Sequence, residues 1–240
     1  MKEVGRALLG SYNYNLAGPS SDKDYKVFMC PEFEDLYCAH KADKDDLPAE
    51  TLENGELSVL DVRKLADLFC VGNVNATEYL FSLDYSVTND FAYFWYQAQR
   101  LYEEGYLVVV WDKWFASLEG LVKNSLDRYG VSRKSMSRAY YFYMLAMTVL
   151  ADNFRMNQRT WRENNWVDTV RDMRFNEENF LPSEELMYKN LEIVKKTGQK
   201  FAKGFNSQKK EELKKQAEQL KQEMKNFVKH ELMEDMEDYD

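Results

Sequence analysis

The sequence predicts an α+β chain: an N-terminal third in which short strands and helices alternate, then a long helical part. Three observations carry this. Short apolar runs broken by Gly, Pro and Ser occupy residues 4–82, whereas from about residue 88 apolar residues recur at helical spacing over long segments. Only 10 Gly and 4 Pro in 240 residues argue against a turn-rich β-sandwich. Apolar residues at 45% and aromatics at 15% supply a sizeable core and exclude a disordered or low-complexity chain.

Val4–Leu9 is an apolar run ending at Gly10-Ser11, a strand entering a turn. Asp24–Met29 (DYKVFM) alternates and is rich in strand formers. Residues 31–56 hold nine acids against Lys41 and Lys44, with Pro31 and Pro48, and read as a solvated loop with room for one short helix. Glu56–Leu60 is a third strand, and Asp61 reads as the N-cap of a helix running to about Val71. Ala76–Ser82 (ATEYLFS) reads as a fourth strand.

Phe91–Glu104, Leu107–Arg128 and Ser132–Asn153 are amphipathic helical segments, punctuated by Gly105 and Tyr129-Gly130. The β-prone run VVVW at 108–111 is assigned to helix because its pattern continues through Trp114, Leu118 and Leu121. Residues 154–182 are polar and read as irregular. The last sixty residues read as two charged helices. Between Lys189 and Lys229 stand 12 lysines and five acids, and Glu231–Asp240 adds six acids. A basic helix followed by an acidic tail is either a solvated face or a polyanion-binding one.

The net charge of −9 does not advertise nucleic-acid binding, and sequence-specific DNA recognition is not expected. Three cysteines (Cys30, Cys38, Cys70), no CxxC and two histidines exclude a zinc or disulfide framework. Only Ala7–Leu9 follows the early charges Lys2, Glu3 and Arg6, and no apolar run reaches the roughly 18 residues of a membrane span. The expectation is a cytoplasmic protein with no membrane partner.

The informative stretch is Gly10-Ser11, ten residues, then Asp22-x-Asp24. Residues i and i+2 of a strand share a face, so Asp22 and Asp24 on one strand would aim two carboxylates at one site. Hard oxygen ligands of this kind suit Mg²⁺. Gly10 permits close backbone approach, and the Ser11 hydroxyl with the amides beyond it can cradle phosphate oxygens. An exposed Gly/Pro/Ser/Asp turn capping a helix is the competing reading.

The pattern G-S-x10-D-x-D resembles that of the minimal nucleotidyltransferases of the DNA polymerase β superfamily. The longer string GSYNYNLAGPSSDKDYKVF is similar to the bacterial and phage members of that type. The resemblance continues through Asp61–Leu65 and Asn73–Ser82, and more weakly through Gly120 and Gly130–Tyr141. It implies a polymerase-β-like α/β half with a mixed sheet (residues 1–88), a helical part closing the active site (89–182) and charged C-terminal helices with an acidic tail (183–240). The implied reaction moves a nucleoside monophosphate from an NTP, ATP included, to a hydroxyl acceptor with release of pyrophosphate. Gly10 and Ser11 would hold the triphosphate, and Asp22 and Asp24 would hold Mg²⁺ or Mn²⁺. Glu56 would be the third, catalytic carboxylate and metal ligand, with Asp61 as the alternative. Lys134 fits a lysine of the family's helical half. Where relatives carry His and Arg beyond it, this chain has Arg138 and Tyr141, so Lys134 and Arg138 are the nucleotide-binding cations here. The acceptor is an RNA end, a protein side chain or a small molecule.

Two rival classes remain. One is a non-catalytic nucleotide-sensing or partner-binding protein of the same fold, antitoxin-like. The other is a sugar-nucleotide glycosyltransferase using the DxD alone, in which Ser11 would have no role. Arg155, Arg159, Arg162, Arg171 and Arg174, interleaved with Trp161 and Trp166, offer a surface for an RNA or protein acceptor. Tyr140, Tyr141 and Tyr143 read as core, Cys70 as an inert buried thiol, and His40 near Cys38 lacks enough partners for a metal site.

Overall fold

The computed structural model describes residues 1–19, 21–32, 50–52, 55–162, 165–179 and 181–237. The chain is α+β, with a mixed sheet followed by a mostly helical remainder. Strand β1 (Lys2–Leu9) runs antiparallel to β2 (Asp24–Cys30) on one side and to β5 (Tyr85–Val87) on the other. Strand β4 (Gly55–Asp61) lies parallel to β2, and β3 (Glu50–Leu52) closes the far edge, giving the order β3-β4-β2-β1-β5. Cys38, His40 and most of the acidic loop fall outside the described residues.

Between β1 and β2 the chain turns through α1 (Gly10–Asn13), one helical turn where the sequence suggested only a turn. Gly10 starts it at φ +70°, a backbone conformation that strains any residue with a Cβ. Helix α2 (Val62–Val71) follows β4 directly. Asp61 is its N-cap, accepting the Arg63 N–H at 2.7 Å, and Val62, Leu65, Ala66 and Phe69 form its buried stripe.

Residues 76–82 do not form the expected strand. Residues 76–80 belong to α3 (Val74–Leu80), capped by Asn73, whose side chain accepts the N–H groups of Asn75 (2.9 Å) and Ala76 (3.3 Å). Ala76 through Leu80 are all buried, so no alternation separates strand from helix, and the cap decides.

Helices α4 (Asn89–Glu103), α5 (Leu107–Tyr129) and α6 (Arg133–Ala151) match the expected segments, with α5 kinked at Val110. Residues 154–182 are not irregular: α7 (Gln158–Arg162) and α8 (Asn165–Phe175) lie within them. Their apolar residues are sparse, but Trp161, Val167, Val170 and Met173 are all buried. The Tyr141 hydroxyl donates to the Trp161 carbonyl at 2.6 Å, and the Arg133 guanidinium gathers the carbonyls of Met173, Glu177 and Asn179.

The charged C-terminus forms α9 (Glu184–Gly204) and α10 (Ser207–Glu237). Each buries an apolar stripe, Met187, Leu191, Val194 and Ala202 on α9 and Leu213, Ala217, Leu220, Met224 and Val228 on α10. Helix α10 packs on α2 and α4, and Asp67 of α2 meets Lys221 at 2.7 Å and Lys225 at 3.2 Å. One cluster of buried side chains runs from Val4 to Val228. Among the described residues, no helix is long and apolar enough to cross a membrane.

Candidate active site

A cleft of about 370 Å³ opens where β1 ends and where β2 and β4 begin. Strand pairing explains why acids gather there. Leu9 pairs with Asp24, and Tyr25 pairs with Leu57, which sets Asp24 and Glu56 side by side at adjacent strand starts. The Glu56 N–H donates to Asp24 Oδ1 at 3.3 Å. Burial pushes the Asp24 carboxyl above its ordinary range, and the charges of Glu56 and Asp22 push the same way. The Glu56 N–H and Lys134 offset part of this.

Of the residues singled out from sequence, Gly10, Ser11, Asp24, Glu56, Lys134 and Arg138 all line this one cleft. Asp22 does not share a strand with Asp24. It is exposed in the unpaired segment just before β2, close enough for its charge to act on Asp24. Asp61 sits five residues along β4, paired with Met29, and its carboxylate is engaged by the Arg63 backbone and guanidinium. Arg133, next to Lys134, is instead committed to the carbonyls of Met173 and Asn179.

The facing wall is cationic. Lys134 and Arg138 come from the first turns of α6, opened by a Ser132/Ser135 capping box, and Arg174 comes from the end of α8. Burial and the neighbouring Arg138 guanidinium both hold Arg174 below the ordinary arginine value. Among the described residues none of the three forms a salt bridge, and Arg138 Nε is buried without a hydrogen-bond partner. Carboxylates, and cations without a salt bridge among the described residues, therefore line one small cleft. Such a pair can hold a polyanion whose charge is shared between a metal and the cations.

Sequence reasoning did not place several polar cleft residues, among them Glu78, Arg174 and Ser125. Glu78 of α3 is buried at 4% exposure, yet it accepts the Gly10 N–H at 2.7 Å and the Tyr14 hydroxyl at 2.5 Å. Burial raises its pKa, while those two donors and the charge of Arg138 pull it down. The Tyr14 ring lies against Tyr141, Phe142 and Trp161, which ties the Gly10 turn to the helical part. Glu78 was hidden because the segment read as a strand. In the sequence Arg174 is one of five arginines that offer a surface for an RNA or protein acceptor, and Ser125 carries no signal.

Among the described residues no group of three or more His, Cys, Asp or Glu side chains closes on a point where a metal would sit. The donors at the cleft are oxygen only, from Asp24 and Glu56 with Asp22 nearby. That set fits a hard cation that takes its remaining ligands from water and phosphate, as Mg²⁺ does. It does not suit a metal that needs a protein cage of nitrogen or sulfur. Compared with known protein families, curated proteins and solved structures, the chain finds no match.

Proposed function

We propose that this chain is a metal-dependent nucleotidyltransferase of the polymerase-β-like type, acting in this cleft. The observation that carries the reading is the meeting of Asp24 and Glu56 with Lys134 and Arg138 across the Gly10-Ser11 turn. The acceptor oxygen attacks the α-phosphorus of an NTP, the bond to the α–β bridging oxygen breaks, and pyrophosphate leaves with that electron pair.

The Gly10 N–H is already engaged by Glu78, so the Ser11 hydroxyl and the amides after it are what the turn offers to phosphate oxygens. Lys134 and Arg138 take up the charge that builds on the leaving pyrophosphate. Asp24 and Glu56, with Asp22, would hold Mg²⁺ or Mn²⁺, which when bound neutralises the triphosphate and acidifies the acceptor hydroxyl. Glu56, the exposed carboxylate at the cleft, would receive the acceptor's proton. Acceptors with an RNA end, a protein hydroxyl or a small-molecule hydroxyl all suit this chemistry.

The test is incubation with each α-³²P-labelled NTP and Mg²⁺ or Mn²⁺, with cell lysate as acceptor pool, beside an Asp22→Ala/Asp24→Ala variant. Label entering RNA, protein or a small molecule with wild type alone supports the transferase and identifies the acceptor class. Metal-dependent NTP binding without transfer favours the second reading, a nucleotide-sensing protein. The exposed position of Asp22, outside the cleft lining, is the observation that keeps that reading open.

A further inference from the structure

We infer that one face of α5, Leu121–Ser125–Tyr129, seats the nucleobase and that Ser125 reads its edge. The inference rests on the nucleotide reading of the cleft and assigns a specificity-determining residue within it. The three residues stand at i, i+4 and i+8, one above another on a helix, and all three line the cleft.

Ser125 is 3% exposed, and its hydroxyl is buried with no hydrogen-bond partner. A serine or threonine inside a helix ordinarily bonds back to the carbonyl four residues earlier. Thr148 does so to Met144 at 2.9 Å, and Thr197 does so to Ile193 at 2.8 Å. Ser125 makes no such bond. A buried hydroxyl without a partner costs stability, and alanine there would avoid the cost and favour the helix more. Such a group on a cleft wall is satisfied when a ligand supplies the missing partner.

The chemistry on either side of Ser125 suits a flat heteroaromatic ring. Leu121 offers an aliphatic surface. Tyr129 offers a ring steadied by Lys134 Nζ, 4.8 Å from its centroid. Asn75, from α3, brings a carboxamide to the same cleft, able to donate and accept at a base edge. Leu9, Leu16 and Tyr79 also give the cleft apolar surface, but the α5 face is the part of it that combines such surface with a buried unpartnered hydroxyl.

The test compares wild type with Ser125→Ala by calorimetry, using ATP, CTP, GTP and UTP and, as a ligand without a base, inorganic tripolyphosphate. Removing one hydrogen bond is expected to weaken the preferred NTP by about fivefold, with tripolyphosphate affinity unchanged and thermal stability equal or higher. Unchanged NTP affinity in Ser125→Ala would overturn the inference, as would equal losses for NTP and tripolyphosphate. Wild type binding tripolyphosphate as tightly as every NTP would remove the base seat and leave the phosphate seat standing. Wild type binding neither would remove both.

Discussion

Glu78 Oε1 accepts the backbone N–H of Gly10 at 2.7 Å, joining residues 68 apart in sequence and fixing the turn on which the candidate site is built. The second oxygen accepts the Tyr14 hydroxyl at 2.5 Å, so one buried carboxylate holds both ends of α1. Truncating it leaves two buried donors without an acceptor. Glu78→Ala is expected to cost about 2–4 kcal/mol of stability. NTP affinity should fall with it, because Gly10 is no longer held. Urea unfolding and calorimetric titration measure the two effects. A variant as stable as wild type with intact NTP binding would show that the turn holds its shape unaided.

The same carboxylate makes stability depend on pH. The folded protein holds Glu78 above its ordinary value of 4.5, chiefly through burial, so the native state binds its proton more tightly than the unfolded chain does. The native state therefore loses stability as pH rises from 4.5 through the raised value, and regains it as pH falls. Glu78→Gln has no such proton. The stability difference, wild type minus Glu78→Gln, should move in favour of wild type between pH 8 and pH 5. Urea midpoints at three pH values across that range would check the sign.

Asp24 is a candidate site group whose ionised form the fold disfavours. Burial and the charges of Glu56 and Asp22 all disfavour its ionised form in the fold. Asp24→Asn removes that charge and keeps the side chain's shape. The variant should unfold at the same or a higher urea concentration than wild type. NMP transfer should fall on the order of a hundredfold or more. A clear loss of stability would mean that Asp24 is held by favourable contacts instead.

The parts of this molecule legible in sequence are those where local signals agree. The strands β1 and β2, the Asp61 cap and the three long helices each combine periodicity with a cap or a breaker and form as expected, whereas the stretch between β1 and β2 gains the helical turn α1 and leaves Asp22 ahead of the strand. Six of the candidate site residues named from sequence meet in the cleft: the pairing of β1, β2 and β4 brings Gly10, Ser11, Asp24 and Glu56 together, and the first turns of α6 add Lys134 and Arg138. Residues 76–80 misled because full burial erases alternation. That error concealed Glu78, whose role depends on α3 packing against the Gly10 turn. Residues 154–182 misled because their few apolar residues, Trp161, Val167, Val170 and Met173, find burial against other parts of the chain, and Arg133 and Tyr141 bond to their carbonyls from outside. Ser125 could not be read in advance, since an unpartnered hydroxyl is a property of packing alone.

Docking of the C-terminal helices depends on Gly198. A Cβ there would stand 2.1 Å from the Trp111 ring, whose Nε1–H donates to the Lys195 carbonyl at 3.2 Å. Gly198→Ala should force α9 away from α5 and cost about 1–3 kcal/mol despite the better helix propensity of alanine. Urea unfolding reads the loss, and a stabilised variant would refute the close approach.

Arg174 gives the sharpest distinction between a surface charge and a site charge. Its neighbours include another guanidinium, Arg138, and no salt-bridge partner among the described residues, so in the absence of an anion it sits against its own electrostatics. Arg174→Met keeps the aliphatic stem beside Phe175 and removes the charge. Stability at low phosphate should hold or rise, while tripolyphosphate affinity falls about tenfold with a shallower dependence on salt. Arg171→Met is the control, because Arg171 is exposed on the same helix and outside the cleft lining. Equal losses in the two variants would group Arg174 with Arg171 and the other arginines that the sequence offers as an acceptor surface. A loss confined to Arg174→Met would establish that α8, together with α6, forms the wall that meets the phosphates.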